Sequence, residues 1–403
     1  MKILFLLVFW VGTVVAEDPF ASFGDLELDE SQSNYGVTGY VQSSYQYLYR
    51  SSQWGSLRQR LWFEPYYHSK DDSFSVISTI SIDWDPSVGA RENADPWNTE
   101  VRELYLEFRR DQRTITLGKQ MMVWGTGSAL SQGAYFNPMD SSDPLASGLA
   151  VNYLATPALR WKEYFDDGVW ELIATSEPTV NTLPKQGSMW DITSGNIRTA
   201  MENEDLNHPV EIGSGFKLVQ TGYDVFIGGF YGYQDDPVLT ILPNKTRVDR
   251  NRISSFFSQL NINFLNGIAQ IQGRYDRNVL ITEPSGVSGD RDIMHILFGW
   301  AGYLKGINAE FDFLLTKQVE SEIVQQFSQN YHYEWGQGAW GLDLGSVYNF
   351  DDNSYILESR MTYKASDTLE YTVGYNGFYG NNDSNYGVFS QNSMYVAKVN
   401  IYF

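Results

Sequence analysis

The sequence predicts an all-β fold: a transmembrane antiparallel up-and-down barrel of about eighteen strands, with sixteen as the alternative. Two observations predict it. Stretches that alternate apolar and polar residues recur along the chain and are separated by turn residues. The last stretch, residues 395–403, alternates in the same way and ends on the aromatic Phe403. A strand with one apolar and one mostly polar face suits a closed barrel with lipid outside and water inside.

The N-terminus predicts export. Lys2 precedes an apolar run that ends in small residues, which offer a cleavage site before Glu17. The run is too short to cross a bilayer as a helix, so residues 1–16 are expected to be a secretory signal peptide. The acidic residues 17–34 are expected to form a periplasmic N-terminal segment, either a tail or a partial plug. Residues 35–403 are expected to form the barrel.

Composition fits an exported barrel and argues against several other classes. The chain has no cysteine, so neither disulfides nor thiolate metal sites are expected. It contains 27 Tyr, 23 Phe and 12 Trp, and transmembrane barrels carry aromatic girdles at both membrane interfaces. The formal net charge of −21 opposes nucleic-acid binding. The four histidines are scattered and no nucleophile–base motif occurs, so no metal, no cofactor and no enzymatic activity are expected.

Eighteen candidate strands follow from the alternation and the turn residues. They cover residues 35–48, 55–67, 73–84, 99–109, 112–120, 158–165, 168–176, 210–221, 222–234, 251–265, 268–281, 292–303, 306–317, 324–335, 338–350, 354–364, 368–380 and 391–403.

The lengths of the connections supply an independent argument for a barrel. Single-chain bacterial barrels have short periplasmic turns and longer outer loops. With Phe403 placed in the periplasm, the connections expected to be periplasmic are all short. The connections expected outside are longer, except near 50–54 and 351–353. This alternation places both termini in the periplasm and makes residues 121–157 the third outer loop.

The polar residues of the alternating strands are expected to line the lumen. A charge that faces lipid near the midplane costs about 2–4 kcal/mol, so charged residues between apolar strand neighbours should point inwards. The sequence therefore predicts a wet or salt-bridged lumen rather than an apolar core. The charged residues expected there are Arg58, Arg60, Glu103, Glu107, Arg160, Lys162, Glu310, Asp312, Glu358 and Arg360.

The third outer loop carries the most specific motif. It follows Leu-Gly-Lys-Gln at 117–120 and contains Trp-Gly at 124–125 and Asn-Pro-Met-Asp at 137–140. Together with Arg-Glu-Leu-Tyr at 102–105, this resembles the pattern L-G-[KR]-Q…W-G…N-P-x-D of a broad group of Gram-negative outer-membrane porin-like barrels. The resemblance covers roughly residues 100–145 and the signals at both ends of the chain. It implies a channel and says little about the substrate.

The same resemblance implies a constriction. In general porins the third loop folds into the barrel, and its acidic residues face basic residues of the wall. By that similarity, Asp140 and Asp143 are expected to face the predicted inward arginines and lysine, because opposed charges in a constriction select solutes by field and size. The other interpretation is that both aspartates only stabilise turns beside Pro138 and Pro144.

The expected function is passive diffusion of small polar solutes or ions, with a weak preference for cations from the net acidity. The alternative is a barrel that transports nothing and acts as a scaffold or sheath for a periplasmic partner. Other expected partners are outer-membrane lipid, lipopolysaccharide and the barrel assembly machinery. That machinery reads a terminal aromatic residue in the barrels that this C-terminal strand resembles, so Phe403 is expected to be the assembly signal. A homotrimer and a monomer both fit the apolar outer face.

Overall fold

The computed structural model describes most of the chain as one closed barrel. It covers residues 34–88, 95–124, 130, 133, 135–139, 153–176, 181, 184, 188–191, 210–235, 238–242, 245–282, 288–318 and 323–403. The strands in these ranges are β1 Tyr35–Leu48, β2 Gln53–His68, β3 Phe74–Trp84, β4 Trp97–Arg110, β5 Arg113–Gln120, β6 Thr156–Phe165, β7 Gly168–Thr175, β8 Glu211–Gln220, β9 Tyr223–Tyr233, β10 Val238–Leu242, β11 Lys245–Asp249, β12 Arg252–Phe264, β13 Gly267–Thr282, β14 Ser288–Leu304, β15 Ile307–Gln318, β16 Ile323–Trp335, β17 Trp340–Asn349, β18 Ser354–Ser366, β19 Leu369–Tyr379 and β20 Met394–Tyr402.

Eighteen of these strands form a single antiparallel sheet in which each strand pairs with its neighbours along the chain. The sheet closes where β1 pairs with β20, from Tyr40↔Tyr402 to Leu48↔Met394. The prediction of an eighteen-stranded up-and-down barrel is confirmed. Each predicted strand coincides with one barrel strand, and the ends differ by a few residues. The largest difference is at β14, which begins at Ser288 rather than 292.

The remaining strands, β10 and β11, pair with each other as a separate hairpin between β9 and β12. The sequence predicts an outer connection over 235–250, and this hairpin lies within it. Each of the two strands has five residues, whereas a membrane-crossing strand needs about 9–11. The two apolar–polar runs, 238–242 and 245–249, are therefore too short to predict a further pair of membrane-crossing strands. They are long enough for a hairpin outside the membrane.

The connections sort by length to the two ends of the barrel, as predicted. The end at which β1 begins and β20 ends carries only tight turns, such as those at 111–112, 265–266 and 305–306. Asp111, Asn266 and Gly306 have positive φ values of 52°, 55° and 93° in these turns. Asp, Asn and Gly adopt this conformation at lower cost than other residues, which is why they occur in two-residue hairpin turns. The opposite end carries the longer connections and is therefore the outer end.

Large apolar side chains occupy one face of the barrel strands, and that face is the outside. Leu117 on β5 and its cross-strand partner Leu159 on β6 are exposed there by 52% and 48%, whereas Thr116, which precedes Leu117, is 6% exposed on the inner face. A continuous band of exposed apolar side chains is stable in lipid and unfavourable in water. The fold is therefore a multi-pass transmembrane barrel of the outer-membrane type. Among the described residues, no helix has the length and apolarity that crossing a bilayer requires.

This assignment of faces predicts that an arginine on the outer face destabilises the barrel, whereas an arginine on the inner face of the adjacent strand is tolerated. Leu344 lies midway along β17 on the outer face and is 42% exposed. Leu344→Arg is expected to lower the free energy of unfolding by about 2–4 kcal/mol, because the charge faces hydrocarbon. Asn330→Arg is the control, because Asn330 faces inwards and its amide lies 3.3 Å from Glu310. Urea titration in liposomes measures both, and equal losses would contradict the assignment.

The C-terminal residue is bonded to the first strand. The Gly39 amide donates to the Phe403 carbonyl at 3.0 Å, and the Phe403 amide donates to the Gly39 carbonyl at 2.9 Å. A Cβ atom at Gly39 would lie 3.0 Å from the Phe403 ring, so the absence of a side chain there lets the ring lie close. The terminal aromatic residue therefore packs at the seam of the barrel.

We expect Phe403→Ala to reduce the amount of folded barrel in the outer membrane, because the terminal aromatic residue is the predicted assembly signal. Ile401→Ala is the matched control, since it removes an apolar side chain from the same face of β20. Heat-modifiable migration of membrane fractions on gels measures the folded fraction. The purified Phe403→Ala protein should still refold in liposomes. Equal cellular amounts of the two variants would argue against a signal at Phe403.

Candidate channel lumen and its crossing loops

Two of the predicted inward arginines are already paired with carboxylates of the wall. Arg60 on β2 forms a two-point contact with Asp83 on β3, with N–O distances of 2.6 and 2.9 Å. Arg160 on β6 contacts Glu171 on β7 at 2.8 and 2.9 Å. Such hydrogen-bonded ion pairs are geometrically fixed. The charges of these two guanidinium groups are therefore balanced by carboxylates on neighbouring strands, without a loop residue.

The other predicted residues of this wall differ in their surroundings. Arg58 is buried on the inner face of β2, one inward position from Arg60. Among the described residues, no hydrogen bond or ion pair reaches Lys162. Glu103 accepts a 2.8 Å hydrogen bond from the amide of Met121, at the start of the third outer loop. Glu107 instead pairs with Arg109 at 2.6 Å beside the periplasmic turn. Lys162 therefore differs from Arg60 and Arg160, whose guanidinium groups are paired with wall carboxylates.

The wall formed by β15 to β18 carries the predicted acidic residues. Asp312 is 1% exposed and accepts hydrogen bonds from Gln270 and Ser328 at 3.3 and 3.2 Å. Glu310 accepts one from Asn330 at 3.3 Å, and Glu358 pairs with Arg360 on its own strand. Asp343 and Glu334 add two carboxylates around His332. Acidic groups therefore outnumber basic ones on this wall.

The two walls face each other. Nine strand steps separate β5 from β16 in either direction around the closed sheet, so these strands lie on opposite sides of the lumen. The wall from β2 to β7 mixes the basic residues Arg58, Arg60, Arg160 and Lys162 with the acidic residues Asp83, Glu103, Glu107 and Glu171, whereas the wall from β15 to β18 is mainly acidic. Among the described residues, no group of three or more His, Asp or Glu side chains could hold a metal ion.

The third outer loop, residues 121–155, turns inwards as soon as β5 ends. Trp124 is 2% exposed, and its ring lies 5.5 Å from that of Tyr135 and 5.4 Å from that of Phe226 on β9. Two wall glycines make room for it. A Cβ atom at Gly213 would lie 2.9 Å from the Trp124 ring, and one at Gly228 would lie 3.1 Å from it. The root of the loop therefore packs flat on the inner wall.

Asn137 of the Asn-Pro-Met-Asp motif fastens the two ends of this loop. Its Oδ1 accepts a hydrogen bond from the Met122 amide at 2.5 Å. Its Nδ2 donates to the Leu154 carbonyl at 2.7 Å. A buried side-chain amide with both atoms bonded holds backbone segments in a fixed relation. The motif thus has a physical role, and Asp140 and Asp143 lie outside the described residues.

A buried cation supports Tyr135 of the same loop. The Arg274 guanidinium on β13 lies 4.3 Å from the centre of the Tyr135 ring. Asp276 pairs with Arg274 at 2.6 Å, and His295 lies 3.8 Å from the same carboxylate. A cation over an aromatic face is attracted more strongly where water is excluded. Arg274 therefore links the loop to the barrel wall.

Leu130 of the third outer loop lies against the wall opposite the base of that loop. It is 9% exposed and packs with Leu297 on β14, Leu314 on β15 and Val347 on β17. These strands lie on the side opposite β5 and β6, from which the loop emerges. Apolar contacts thus attach the loop at both walls, near Trp124 and at Leu130.

Residues of a second outer loop also contact the wall opposite its own strands. Trp190, in the fourth outer loop between β7 and β8, is 3% exposed and packs with Leu48 on β1, Phe378 on β19 and Met394 on β20. The Asn392 amide donates to the Met189 carbonyl at 2.5 Å. The strands that hold Trp190 lie on the far side of the barrel from β7 and β8. Met189 and Trp190 of the fourth outer loop therefore contact the wall opposite the strands from which the loop emerges.

The inner wall also carries apolar clusters at the places where these loops dock, in addition to the predicted polar residues. Phe226, Phe257, Leu297 and Phe378 are buried on the inner face of their strands. They form apolar patches that receive loop side chains, and burying such surface favours docking. The sequence held a usable signal, because these residues occupy inward positions in strands whose outward positions are also apolar. Elsewhere the inner wall is polar, as predicted.

Solved structures share this fold at low sequence identity. Acinetobacter baumannii OccAB1 matches with a TM-score of 0.56 at 9% identity, over 92% of this chain and 95% of that chain. Pseudomonas aeruginosa OccK8 (OprE) matches with a TM-score of 0.55 at 9% identity, over 92% of this chain and 98% of that chain. Pseudomonas aeruginosa OccD3 (OpdP) matches with a TM-score of 0.53 at 8% identity, over 92% of this chain and 91% of that chain. No family model and no curated protein matches the chain. The likeness concerns the fold.

Proposed function

We propose that this chain is an outer-membrane, porin-like channel through which small polar solutes or ions diffuse passively. The observation that carries the proposal is the charged inner wall within an apolar outer surface. Groups such as Lys162 and Glu310 are tolerated in a membrane where water or a partner reaches them. A barrel of eighteen strands is also too wide for its own side chains to fill. The interior is therefore proposed to hold a water path.

The third outer loop is proposed to narrow that path. Its attachment at Trp124 on one wall and at Leu130 on the other supports this role, because a segment across the lumen limits the size of passing solutes. Asp140 and Asp143 remain the proposed acidic side of the constriction. Arg58, Arg60, Arg160 and Lys162 of the wall from β2 to β7 are the proposed basic residues opposite them.

The channel is proposed to prefer cations. The wall from β15 to β18 supports this, because its five inward carboxylates outnumber its two inward cations, Arg360 and Lys364; the carboxylates are Glu310, Asp312, Glu334, Asp343 and Glu358. Lipid and lipopolysaccharide are the proposed surroundings of the outer face. The same apolar face suits a neighbouring subunit, so a homotrimer is part of the proposal. Native mass spectrometry of the detergent-extracted protein tests it.

Planar-bilayer recordings of the purified protein test the channel itself. Insertion should give stepwise, ohmic current increases. A protein that is folded by circular dichroism but never conducts would overturn the channel proposal. That outcome would favour the alternative of a scaffold or sheath for a periplasmic partner.

Neutralising the acidic wall should reduce cation selectivity. We expect Glu310→Gln combined with Glu358→Gln to move the reversal potential in a tenfold salt gradient towards zero by about 10 mV or more, because wall charges set the local ion concentration. Asp71→Asn is the control, since Asp71 lies in an exposed periplasmic turn. If the double variant and the control give the same reversal potential, the acidic wall does not set selectivity.

A further inference from the structure

Three aromatic side chains form a row on the inner face of the barrel. Tyr402 on β20, Tyr40 on β1 and Trp62 on β2 are direct cross-strand neighbours. The ring centres of Tyr40 and Trp62 are 5.9 Å apart with planes 9° from parallel, and those of Tyr40 and Tyr402 are 6.0 Å apart. All three side chains are half-buried. The row lies at the periplasmic end of the lumen, because the adjacent Gly39 is bonded to the chain terminus.

A polar row runs beside the aromatic row, one inward position towards the outer end. Gln42 on β1 pairs in register with Asn400 on β20 and with Arg60 on β2. The Gln42 amide donates to Asn400 at 2.9 Å, and the Asn400 amide donates to Glu370 at 2.9 Å. Arg60 continues this row through its ion pair with Asp83. An edge of amides, a carboxylate and a guanidinium therefore borders the aromatic rings.

The polar tips of the aromatic row are held within the wall. The Trp62 indole N–H donates to Glu64 at 2.8 Å, and the Tyr402 hydroxyl donates to Glu370 at 3.4 Å. Fixed rings are favourable for binding, because little side-chain freedom is lost when a ligand contacts them. What the row offers to a solute is therefore apolar ring surface.

The charges around the row balance. Three basic and three acidic side chains surround it on the inner faces of the adjoining strands: Arg58, Arg60, Lys398, Glu64, Asp83 and Glu370. A site without net charge gives no preference to an anion or a cation. Its polar edge instead offers both donors and acceptors, which suits a neutral ligand with several hydroxyl groups.

We propose that the aromatic row and its polar edge form a binding subsite for a neutral carbohydrate in the proposed channel. A sugar ring has a face of C–H groups and a rim of hydroxyl groups. The C–H face matches Tyr402, Tyr40 and Trp62, and the hydroxyl rim matches Gln42 and Asn400. Because the three rings together extend beyond one sugar ring, the subsite favours a short oligosaccharide over a monosaccharide.

Isothermal titration of the detergent-solubilised protein with neutral sugars tests the subsite. The probes are glucose and the trisaccharides maltotriose, cellotriose and xylotriose. At least one trisaccharide should bind about tenfold more tightly than glucose, since a second ring contact adds affinity. No binding by any trisaccharide would overturn the proposal. Binding of choline through the same residues would also overturn it, by making the row a cation site.

Substitutions test whether the trisaccharide binds at the aromatic row. Trp62→Ala should weaken trisaccharide binding about tenfold, whereas Trp62→Phe, which keeps a ring, should weaken it less. Trp161→Ala is the matched control, because Trp161 is on the lipid face and 36% exposed. Equal affinities for Trp62→Ala and Trp161→Ala would place the sugar elsewhere.

The subsite rests on the proposed channel function only for its access from the lumen. Titration needs no current, so a protein that binds a trisaccharide without conducting would contradict the channel and support the subsite. A protein that conducts but binds none of the trisaccharides would contradict the subsite alone.

Discussion

Replacing Trp124 and Leu130 together by alanine is expected to raise single-channel conductance about twofold or more, because conductance follows the width of the narrowest aqueous path. Trp124 attaches the third outer loop to the near wall, and Leu130 attaches it to the far wall. Truncating a buried Leu costs about 2–5 kcal/mol and a buried Trp about 3–5 kcal/mol. Losing both contacts should loosen the loop within the lumen, while Tyr135 still contacts Arg274 at the wall. Planar-bilayer recordings at fixed salt provide the measurement.

The matched control for this prediction removes the same residue types from the lipid face. Leu344→Ala combined with Trp161→Ala deletes one Leu and one Trp from the outer surface. This control should leave conductance unchanged. Single variants at Trp124 and Leu130 should give smaller increases, because each keeps the contact that the other variant removes. If the lumen variant conducts like the wild type, the third loop does not limit the path.

The second large effect is expected on stability, from Arg274→Met. The substitution leaves Asp276, which is 3% exposed, without its cation, and removes the cation below the Tyr135 ring. Breaking a buried ion pair on one side is expected to lower the free energy of unfolding by about 3 kcal/mol. Urea titration in liposomes, followed by tryptophan fluorescence, measures the change.

Two further variants distinguish a lost ion pair from lost packing. Arg109→Met removes an arginine whose side chain is 60% exposed and which pairs with Glu107. This control should cost at most about 1 kcal/mol, because water screens exposed pairs. Adding Asp276→Asn to Arg274→Met should restore part of the stability, since it removes the uncompensated charge. A double variant less stable than Arg274→Met would refute this explanation.

The barrel could be predicted from the sequence because membrane strands obey a two-residue period. In β15 the alternation of Asn308, Glu310 and Asp312 with Phe311 and Phe313 fixes both the strand and its faces. The same two-residue period predicts that the side chains of Arg60 and Arg160 face the lumen. Their partners Asp83 and Glu171 could not be assigned, because cross-strand register depends on turn lengths that the sequence gives only to within a few residues.

The crossing of the lumen could not be predicted in the same way. Leu130 and Trp190 lie in loops without periodicity, and their contacts join segments far apart in sequence. The motif residue Asn137 stood out only through a resemblance, and the structure adds that its amide ties Met122 to Leu154. Inward aromatic residues such as Phe226 were visible in the sequence, but nothing local indicates which loop covers them.

The position of Trp190 has a consequence for the order of folding. Its pocket is built from Leu48 on the first strand and Met394 on the last, which meet only when the seam closes. This pairing has the longest sequence separation in the barrel, so its loop-closure entropy is the largest. Docking of the fourth loop must therefore follow seam closure. The Trp190 indole should reach its buried state late in refolding, after the hairpins have formed, and its fluorescence would then report the final step of assembly.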